Sequence, residues 1–204
     1  MGSFSTLTRS FCKFVNMSKS ALIILAPGAE EMEFIIAADV LRRAGIKVTV
    51  AGLGDSTEPV KCSRDILIVP DTPLSKVASE KFDVVVLPGG LGGSNAMGDS
   101  SAVGELLKNQ EASGGLIAAI CAAPTVLAKH GIASGKSLTS YPSMKAQLVD
   151  KYSYVDDKNV VQDGNLITSR GPGTAYNFAL KISEELAGKE KAQEVAKGLL
   201  LSYD

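Results

Sequence analysis

The sequence predicts a single α/β domain built on a doubly wound, mostly parallel sheet. Short, near-continuous apolar runs alternate along the chain with segments whose apolar residues recur at helical spacing. Runs of this kind are typical of strands that helices cover on both faces. A chain of 204 residues, 45% of them hydrophobic, is long enough for one substantial core and shows no division into two domains.

Each predicted strand is an apolar run that ends in a turn. Four buried strands are predicted in this way: residues 21–25, 46–51, 83–87 and 116–120. Helices are predicted where apolar positions recur at helical spacing: residues 30–44, 74–81, 102–111, 174–186 and 190–201, with one more from about Pro124. Gly45 ends the first helix and Gly188 separates the last two, because glycine favours helix C-termini.

Two segments, residues 60–69 and 155–168, interrupt the alternation. Both are predicted as antiparallel hairpins, the second turning at Asp163-Gly164. We expect both hairpins to decorate the sheet.

Residues 1–17 are predicted to be an N-terminal extension to a domain that spans residues 18–204. The extension has no acidic residue, and apolar residues at positions 4, 7, 11 and 14 recur among serines and threonines. This composition suits a mitochondrial presequence. The alternative is a disordered extension ahead of Met17, which could itself serve as a start.

Charge and cysteine content exclude several classes of protein. Lysine and arginine total 21 against 22 acids, so the chain lacks the basic excess that draws proteins to nucleic acids. Cys12, Cys62 and Cys121 are odd in number and lack CxxC spacing, which disfavours a disulfide framework and a zinc site. No apolar run approaches the roughly 18 residues that span a bilayer. We therefore expect a metal-free protein of the cytoplasm and nucleus, with a mitochondrial pool if the extension directs one.

Cys121 is the strongest candidate for a functional residue. It follows a buried strand without a loop and precedes a helix, with only alanines at positions 119, 122 and 123. Small neighbours permit the sharp strand-to-helix turn of a nucleophile elbow. A thiol at a helix N-terminus is expected to have a lowered pKa, because amide hydrogens and the helix dipole favour the thiolate. The alternative is an inert buried cysteine.

Glu33 is the candidate proton-transfer group. It shares a helical row with Ala37 and Ala44, so its carboxyl is predicted to face the apolar core. Desolvation should raise the pKa of this carboxyl, which would let it hold a proton beside the sulfur. Its neighbours Glu30 and Glu31 are expected to be first-turn acids that complement the helix dipole.

Backbone amides could complete the site. Gly89 and Gly90 follow the third predicted strand and allow the backbone to approach a ligand closely. The amides of Gly90 and Ala122 could then form an oxyanion hole, and an ordinary glycine turn is the alternative.

The single histidine, His130, is predicted to lie too far from Cys121 for a catalytic dyad. If one helix carries both residues, they are about 13 Å apart. His130 is better placed at the surface near the helix C-terminus, where cationic character is favourable.

Four motifs carry a resemblance to a known family. Residues 26–33, 84–90, 115–124 and 168–174 resemble the Parkinson-disease-associated protein deglycase family of the ThiJ/PfpI superfamily, relatives of class I glutamine amidotransferases. The resemblance runs from about Ser18 to the C-terminus. It implies a flavodoxin-like fold, a homodimer, a nucleophile at Cys121 and a protonated carboxyl at Glu33, with Gly90 and Ala122 lining the cysteine pocket.

The resemblance also assigns residues around the pocket. Arg64 matches an arginine near the dimer interface and the site, whereas Arg170 and Pro172 match the loop that closes the pocket. Tyr141 stands where many relatives have a histidine, and its pKa near 10 makes tyrosine a poor base at neutral pH. This substitution puts a Cys-His mechanism in further doubt.

The family implies a cofactor-independent deglycase or glyoxalase. Its substrates would be methylglyoxal, glyoxal and their early adducts on proteins or nucleotides, and its redox-sensitive cysteine would protect against oxidative stress. Two alternatives stay open. One is a non-enzymatic redox sensor or chaperone that Cys121 oxidation switches; the other is an intracellular cysteine peptidase, which the missing histidine opposes.

Overall fold

The computed structural model describes residues 18–204, and the predicted extension lies outside the described residues. The described chain contains eleven strands: β1 (Ser20–Leu25), β2 (Lys47–Gly52), β3 (Val60–Lys61), β4 (Leu67–Ile68), β5 (Thr72–Pro73), β6 (Val84–Leu87), β7 (Leu116–Ile120), β8 (Ser137–Leu138), β9 (Ser153–Tyr154), β10 (Val160–Asp163) and β11 (Leu166–Ser169). It also contains seven α-helices: α1 (Glu31–Arg43), α2 (Leu74–Val77), α3 (Leu91–Asp99), α4 (Ser101–Ala112), α5 (Pro124–His130), α6 (Ala175–Ala187) and α7 (Lys189–Gly198). Short 3-10 helices cover Pro142–Gln147 and Pro172–Thr174. None of these described helices has the length and apolarity to cross a bilayer.

Seven strands form one sheet in the order β10-β11-β7-β6-β1-β2-β5. All neighbouring pairs are parallel except β10 and β11. Each face of the sheet has its own core, as β1 shows: Ile23 and Leu25 pack with α1 and α6, whereas Leu22 and Ile24 pack with α4 and α5. The predicted mostly parallel, doubly wound sheet is confirmed.

The hairpin predicted over residues 155–168 is part of the main sheet. Its second strand, β11, pairs in parallel with β7, with Ile167 opposite Ala118. Leu166 and Ile167 are neighbours in the strand, so their side chains point to opposite faces of the sheet, and both are buried. A strand that is buried on both faces is typical of the interior of a covered sheet. The expectation that this hairpin only decorates the sheet is therefore wrong. The hairpin of β3 and β4 does form a separate antiparallel pair, as predicted.

Helix α3 has no counterpart among the predicted helices. Its sequence, LGGSNAMGD, is rich in glycine, which has a low helix propensity. The glycines instead allow a close backbone contact, because a Cβ at Gly93 would lie 2.8 Å from the Cα of Ala29. The start of α3 thus packs on the turn after β1, and this contact places Gly89 and Gly90 beside that turn.

Candidate functional site

Three turns meet at the carboxyl edge of the sheet. β7, β6 and β1 are neighbours, so the residues that follow them lie side by side. Gly89 follows β6, with Glu33 of α1 on one side and Cys121 on the other. The structure therefore brings together three residues that the sequence predicts at one edge.

Cys121 occupies a sharp turn in a left-handed backbone conformation, with a φ of 64°. Its amide donates to the Ser169 carbonyl at 3.0 Å, and its carbonyl accepts the Tyr141 amide at 2.8 Å. This conformation is strained for a residue with a side chain, and the two hydrogen bonds help to hold it. The alanines beside Cys121 leave room for the turn, and Cys121 itself is only 9% exposed.

Glu33 is completely buried. Its Oε2 accepts the Gly89 amide at 2.8 Å, and its carboxyl shares a hydrogen bond with the Cys121 thiol. No N–H or O–H donor within residues 18–204 reaches Oε1. Burial raises the pKa of Glu33 to about 7, although the Cys121 and Gly89 hydrogen bonds oppose the shift. The carboxyl therefore exchanges a proton near neutral pH.

The same surroundings act on the thiol. Burial, the charge of Glu33 and their shared hydrogen bond raise the pKa of Cys121 to about 12, while the Gly90 and Ala122 amides lower it. The prediction of a lowered thiol pKa is therefore wrong beside an ionised Glu33. Protonation of Glu33 removes its opposing charge and lets it donate to the sulfur.

Gly89 and Gly90 are required by close contacts. A Cβ at Gly89 would lie 2.6 Å from both Cys121 Cβ and Glu33 Oε2. Gly90 has a φ of 82°, and a Cβ there would lie 2.4 Å from the Gly28 carbonyl oxygen. Any side chain at either position would displace the groups that surround the sulfur.

Arg64 lies in the turn between β3 and β4. Its exposed guanidinium donates to the Ser63 carbonyl at 3.1 Å. Glu31 anchors this segment to α1, because its Oε1 accepts the Arg64 amide and its Oε2 accepts the Ser63 hydroxyl, both at 2.7 Å. Burial favours a higher pKa for Glu31, but these hydrogen bonds and the Arg64 charge lower the pKa overall. Glu31 is thus a buried anchor as well as a first-turn acid, a role that the sequence does not predict.

Tyr141, Arg170 and Pro172 lie on segments that adjoin Cys121. Tyr141 is 47% exposed, and its ring packs against Gly171. The Arg170 guanidinium donates to the Asp156 carbonyl, and Pro172 begins a short 3-10 helix. In the described part of the chain, neither the Tyr141 nor the Arg170 side chain forms a hydrogen bond with Glu33 or Cys121.

Thr174 fastens the loop after β11, a role that the sequence does not predict. Its hydroxyl lies 2.7 Å from the Ser169 hydroxyl and accepts the Gly171 amide at 3.1 Å. Because the Ser169 carbonyl accepts the Cys121 amide, the loop and the cysteine turn are fixed together. Ser169 and Thr174 are the residues of the motif at 168–174 whose hydroxyl groups could have suggested this hydrogen-bond network.

His130 lies at the end of α5, away from Cys121. Its Nε2 lies 3.2 Å from the Met97 carbonyl oxygen, and its ring fills the space beside Gly104. The side chain is half-buried in the last turn of α5, the helix end at which it is predicted, and the missing side chain of Gly104 provides room for the ring. Residues 18–204 contain no group of three or more His, Cys, Asp or Glu that could hold a metal.

Comparison with known proteins identifies the family. Residues 19–185, most of the chain, match the DJ-1/PfpI family. The chain belongs to the DJ-1/PfpI family. The resemblance drawn from the four sequence motifs is confirmed.

Relatives within the DJ-1/PfpI family cover nearly the whole described chain. Protein dj-1beta of Drosophila melanogaster is 83% identical over 92% of this chain and 100% of its own length. Its crystal structure matches with a TM-score of 0.90 over 92% of this chain and 100% of that one. The Parkinson disease protein 7 homolog of Danio rerio is 54% identical, and the glutathione-independent glyoxalase DJR-1.2 of Caenorhabditis elegans is 49% identical; each alignment covers 90% of this chain and 97% of the relative.

Proposed function

We propose that this protein is a cysteine-dependent glyoxalase and deglycase that acts on methylglyoxal, glyoxal and their early adducts on proteins or nucleotides. The observation that carries the proposal is the hydrogen bond between the buried Glu33 carboxyl and the Cys121 thiol, with the Gly90 and Ala122 amides on the same sulfur. A relative that is 49% identical and bears the name of a glyoxalase supports this class of reaction.

The proposed reaction begins when the Cys121 thiolate adds to the aldehyde carbon of methylglyoxal. The aldehyde oxygen takes a proton from Glu33, and a hemithioacetal forms. Glu33 then removes the hydrogen of that carbon as a proton and returns it to the neighbouring ketone carbon, while the hydroxyl proton of the first carbon passes to the ketone oxygen. The first carbon is oxidised to a thioester and the second is reduced, so no external oxidant is needed. Water cleaves the thioester and releases lactate and the thiolate.

The site offers groups that stabilise negative charge and a group that transfers protons. The Gly90 and Ala122 amides face the sulfur and are placed to stabilise an oxyanion that develops beside it. Glu33, with its pKa raised to about 7, can both donate and accept a proton near neutral pH. An early adduct on an amine would enter the same sequence once its carbon–nitrogen bond breaks and the amine leaves.

Lactate formation from methylglyoxal tests the proposal. We expect Cys121→Ser to abolish it and Glu33→Gln to slow it by about 100-fold or more, as for other general acid–base groups. Cys62→Ala is the matched control, because Cys62 is also a buried free cysteine, and it should retain the wild-type rate. Wild-type rates in the Cys121 and Glu33 variants would refute the proposal.

A second function, redox sensing by Cys121, is favoured by the same contacts. Two peroxide molecules would convert the thiolate to a sulfinate and release two waters, and the Gly90 and Ala122 amides and protonated Glu33 would bind the new oxygens. Intact mass after limited peroxide treatment should show a two-oxygen adduct that is absent from Cys121→Ser. The sensor is refuted if the wild-type protein gains no such adduct.

We also propose that the protein is a homodimer. Five large apolar side chains are exposed on α1 and on the adjacent β3–β4 hairpin: Met32, Ile35, Ile66, Leu67 and Val69. Glu31 fixes the hairpin to α1, so the two parts form one patch. An exposed apolar patch on a soluble domain commonly marks a protein interface.

A further inference from the structure

We propose that a cleft between α3 and α5, which neither Cys121 nor Glu33 lines, binds a small hydroxylated organic anion, either a carboxylate or a phosphate ester. The cleft has a volume of about 340 Å³. Its polar lining consists of two lysines, two amides and two hydroxyl groups: Lys129, Lys151, Asn95, Gln147, Ser94 and Thr125. This inference goes beyond the proposed reaction and does not depend on it.

Ser94 is the first observation that indicates a ligand. Ser94 is only 2% exposed, and it is one of the residues that line the cleft. Its Oγ has no hydrogen-bond partner within residues 18–204. An unpaired buried hydroxyl is unfavourable, and a ligand oxygen that reached Ser94 Oγ would give it a partner.

The charge of the lining determines the class of ligand. Lys129 and Lys151 are the charged residues among the lining side chains, and no acid accompanies them there. Lys151 donates to the Ala128 carbonyl at 2.7 Å and keeps two further ammonium hydrogens. Lys129 pairs with Asp99, which does not line the cleft. Two cations against one nearby carboxylate favour an anion.

The uncharged lining restricts the ligand further. Asn95 and Gln147 provide amide donors and acceptors, and Thr125 provides a second hydroxyl. The remaining lining residues, Gly98 and Ala128, are small, so the cleft offers little apolar surface. A hydroxylated anion fits this set better than an aromatic or aliphatic ligand, because each of its polar groups can find a partner.

Titration of the full chain with inorganic phosphate, glycerol phosphate and lactate, followed by amide NMR shifts, tests the proposal. We expect saturable shifts at Ser94, Asn95 and Thr125 at millimolar or lower concentration of at least one organic anion. The tighter of glycerol phosphate and lactate identifies a phosphate ester or a carboxylate as the natural group. Sodium chloride at matched ionic strength controls for screening of surface charges.

Lys151→Gln should weaken binding at least about tenfold, and Ser94→Ala should weaken it with little change to the surface charge. Lys108→Gln removes an exposed lysine of α4 and should bind like the wild type. The proposal is overturned if no anion gives saturable shifts, if shifts occur only around Cys121, or if Lys108→Gln and Lys151→Gln lower affinity equally. Ser94→Ala serves as the second variant should Lys151→Gln fold poorly.

Discussion

The Glu33 carboxyl and the Cys121 thiol share a hydrogen bond in the buried carboxyl edge of the sheet. Neither residue is near the other in sequence, and the amide of Gly89 lies between them and donates to Glu33 at 2.8 Å. Burial raises the pKa of both acids, and the charge of Glu33 raises that of Cys121 further. The protonation of each group therefore controls the reactivity of the other.

Replacing Glu33 with Gln should remove an inflection near pH 7 from the rate at which Cys121 is alkylated. Glu33 titrates at about 7, and its change of charge alters the stability of the neighbouring thiolate. Iodoacetamide rates across the pH range provide the measurement, with Cys121→Ser as the blank for the other cysteines. An unchanged inflection in Glu33→Gln would assign it to another group.

The same substitution should stabilise the fold at alkaline pH. The pKa of Glu33 is raised from 4.5 to about 7, so its stabilising contribution is complete below pH 4.5 and is lost as the pH rises through 7. Gln does not titrate, and its advantage should grow from pH 5 to pH 8 by about 2–3 kcal/mol. Urea unfolding of both proteins at the two pH values measures this difference. A growing advantage of the wild type would contradict the assigned pKa.

Gly89→Ala should disrupt the site although it adds one methyl group. The new Cβ would lie 2.6 Å from both Cys121 Cβ and Glu33 Oε2, so these groups must move apart. A displacement of this size is expected to lower methylglyoxal turnover by about 100-fold. Gly198→Ala is the matched control, because no heavy atom lies within 4 Å of its added Cβ. Equal activity of the two variants would show that the contact is not needed.

Glu31→Ala should destabilise the protein by about 1–3 kcal/mol at pH 7, because it leaves the partly buried Ser63 hydroxyl and Arg64 amide without their charged acceptor. The pKa of Glu31 is depressed, so its contribution is present above pH 4.5 and is lost as the pH falls through its lowered pKa. The difference from the wild type should therefore shrink in acid, as measured by denaturant unfolding. Glu190→Ala, which removes an exposed first-turn acid of α7, should cost less than about 1 kcal/mol at both pH values.

Leu67→Lys should convert the proposed dimer to a monomer. Leu67 is a 64% exposed member of the apolar patch, and a lysine that is buried there without a partner would oppose association. Sedimentation velocity gives the mass of each species. Val149→Lys places the same charge on an exposed apolar residue outside the patch and should leave the dimer intact. A dimeric Leu67→Lys protein would place the interface elsewhere.

The main elements of the fold follow from the sequence because their signals are local. Strands covered on both faces are apolar throughout, so the sequence predicts the first and last residues of β7, Leu116 and Ile120, correctly. Helix α3 is not predicted, because its glycines serve a backbone contact with the turn after β1 and conceal its helical pattern. The two-residue strands β5, β8 and β9 depend on partners that only the tertiary fold supplies.

The proximity of Glu33 and Cys121 can be predicted from the order of the strands, since parallel strands end at one edge. Two other properties of the site cannot be predicted from the sequence. The anchoring role of Glu31 requires the position of a hairpin that is distant in sequence, and the raised pKa of Cys121 depends on its distance from the Glu33 charge. Local sequence patterns reveal neither the position of the hairpin nor the distance between Cys121 and Glu33.

The left-handed backbone conformation of Cys121 lowers the stability of the fold, whereas the side chain that makes it unfavourable carries the proposed nucleophile. The strain, about 1–2 kcal/mol, arises from the Cβ atom and not from the sulfur. Serine or alanine would carry the same strain, so both variants report the loss of the thiol without a change in the turn. Glycine would relax the turn but provide no reactive group. The domain retains this unfavourable backbone conformation, and the side chain that causes it carries the thiol of the proposed site.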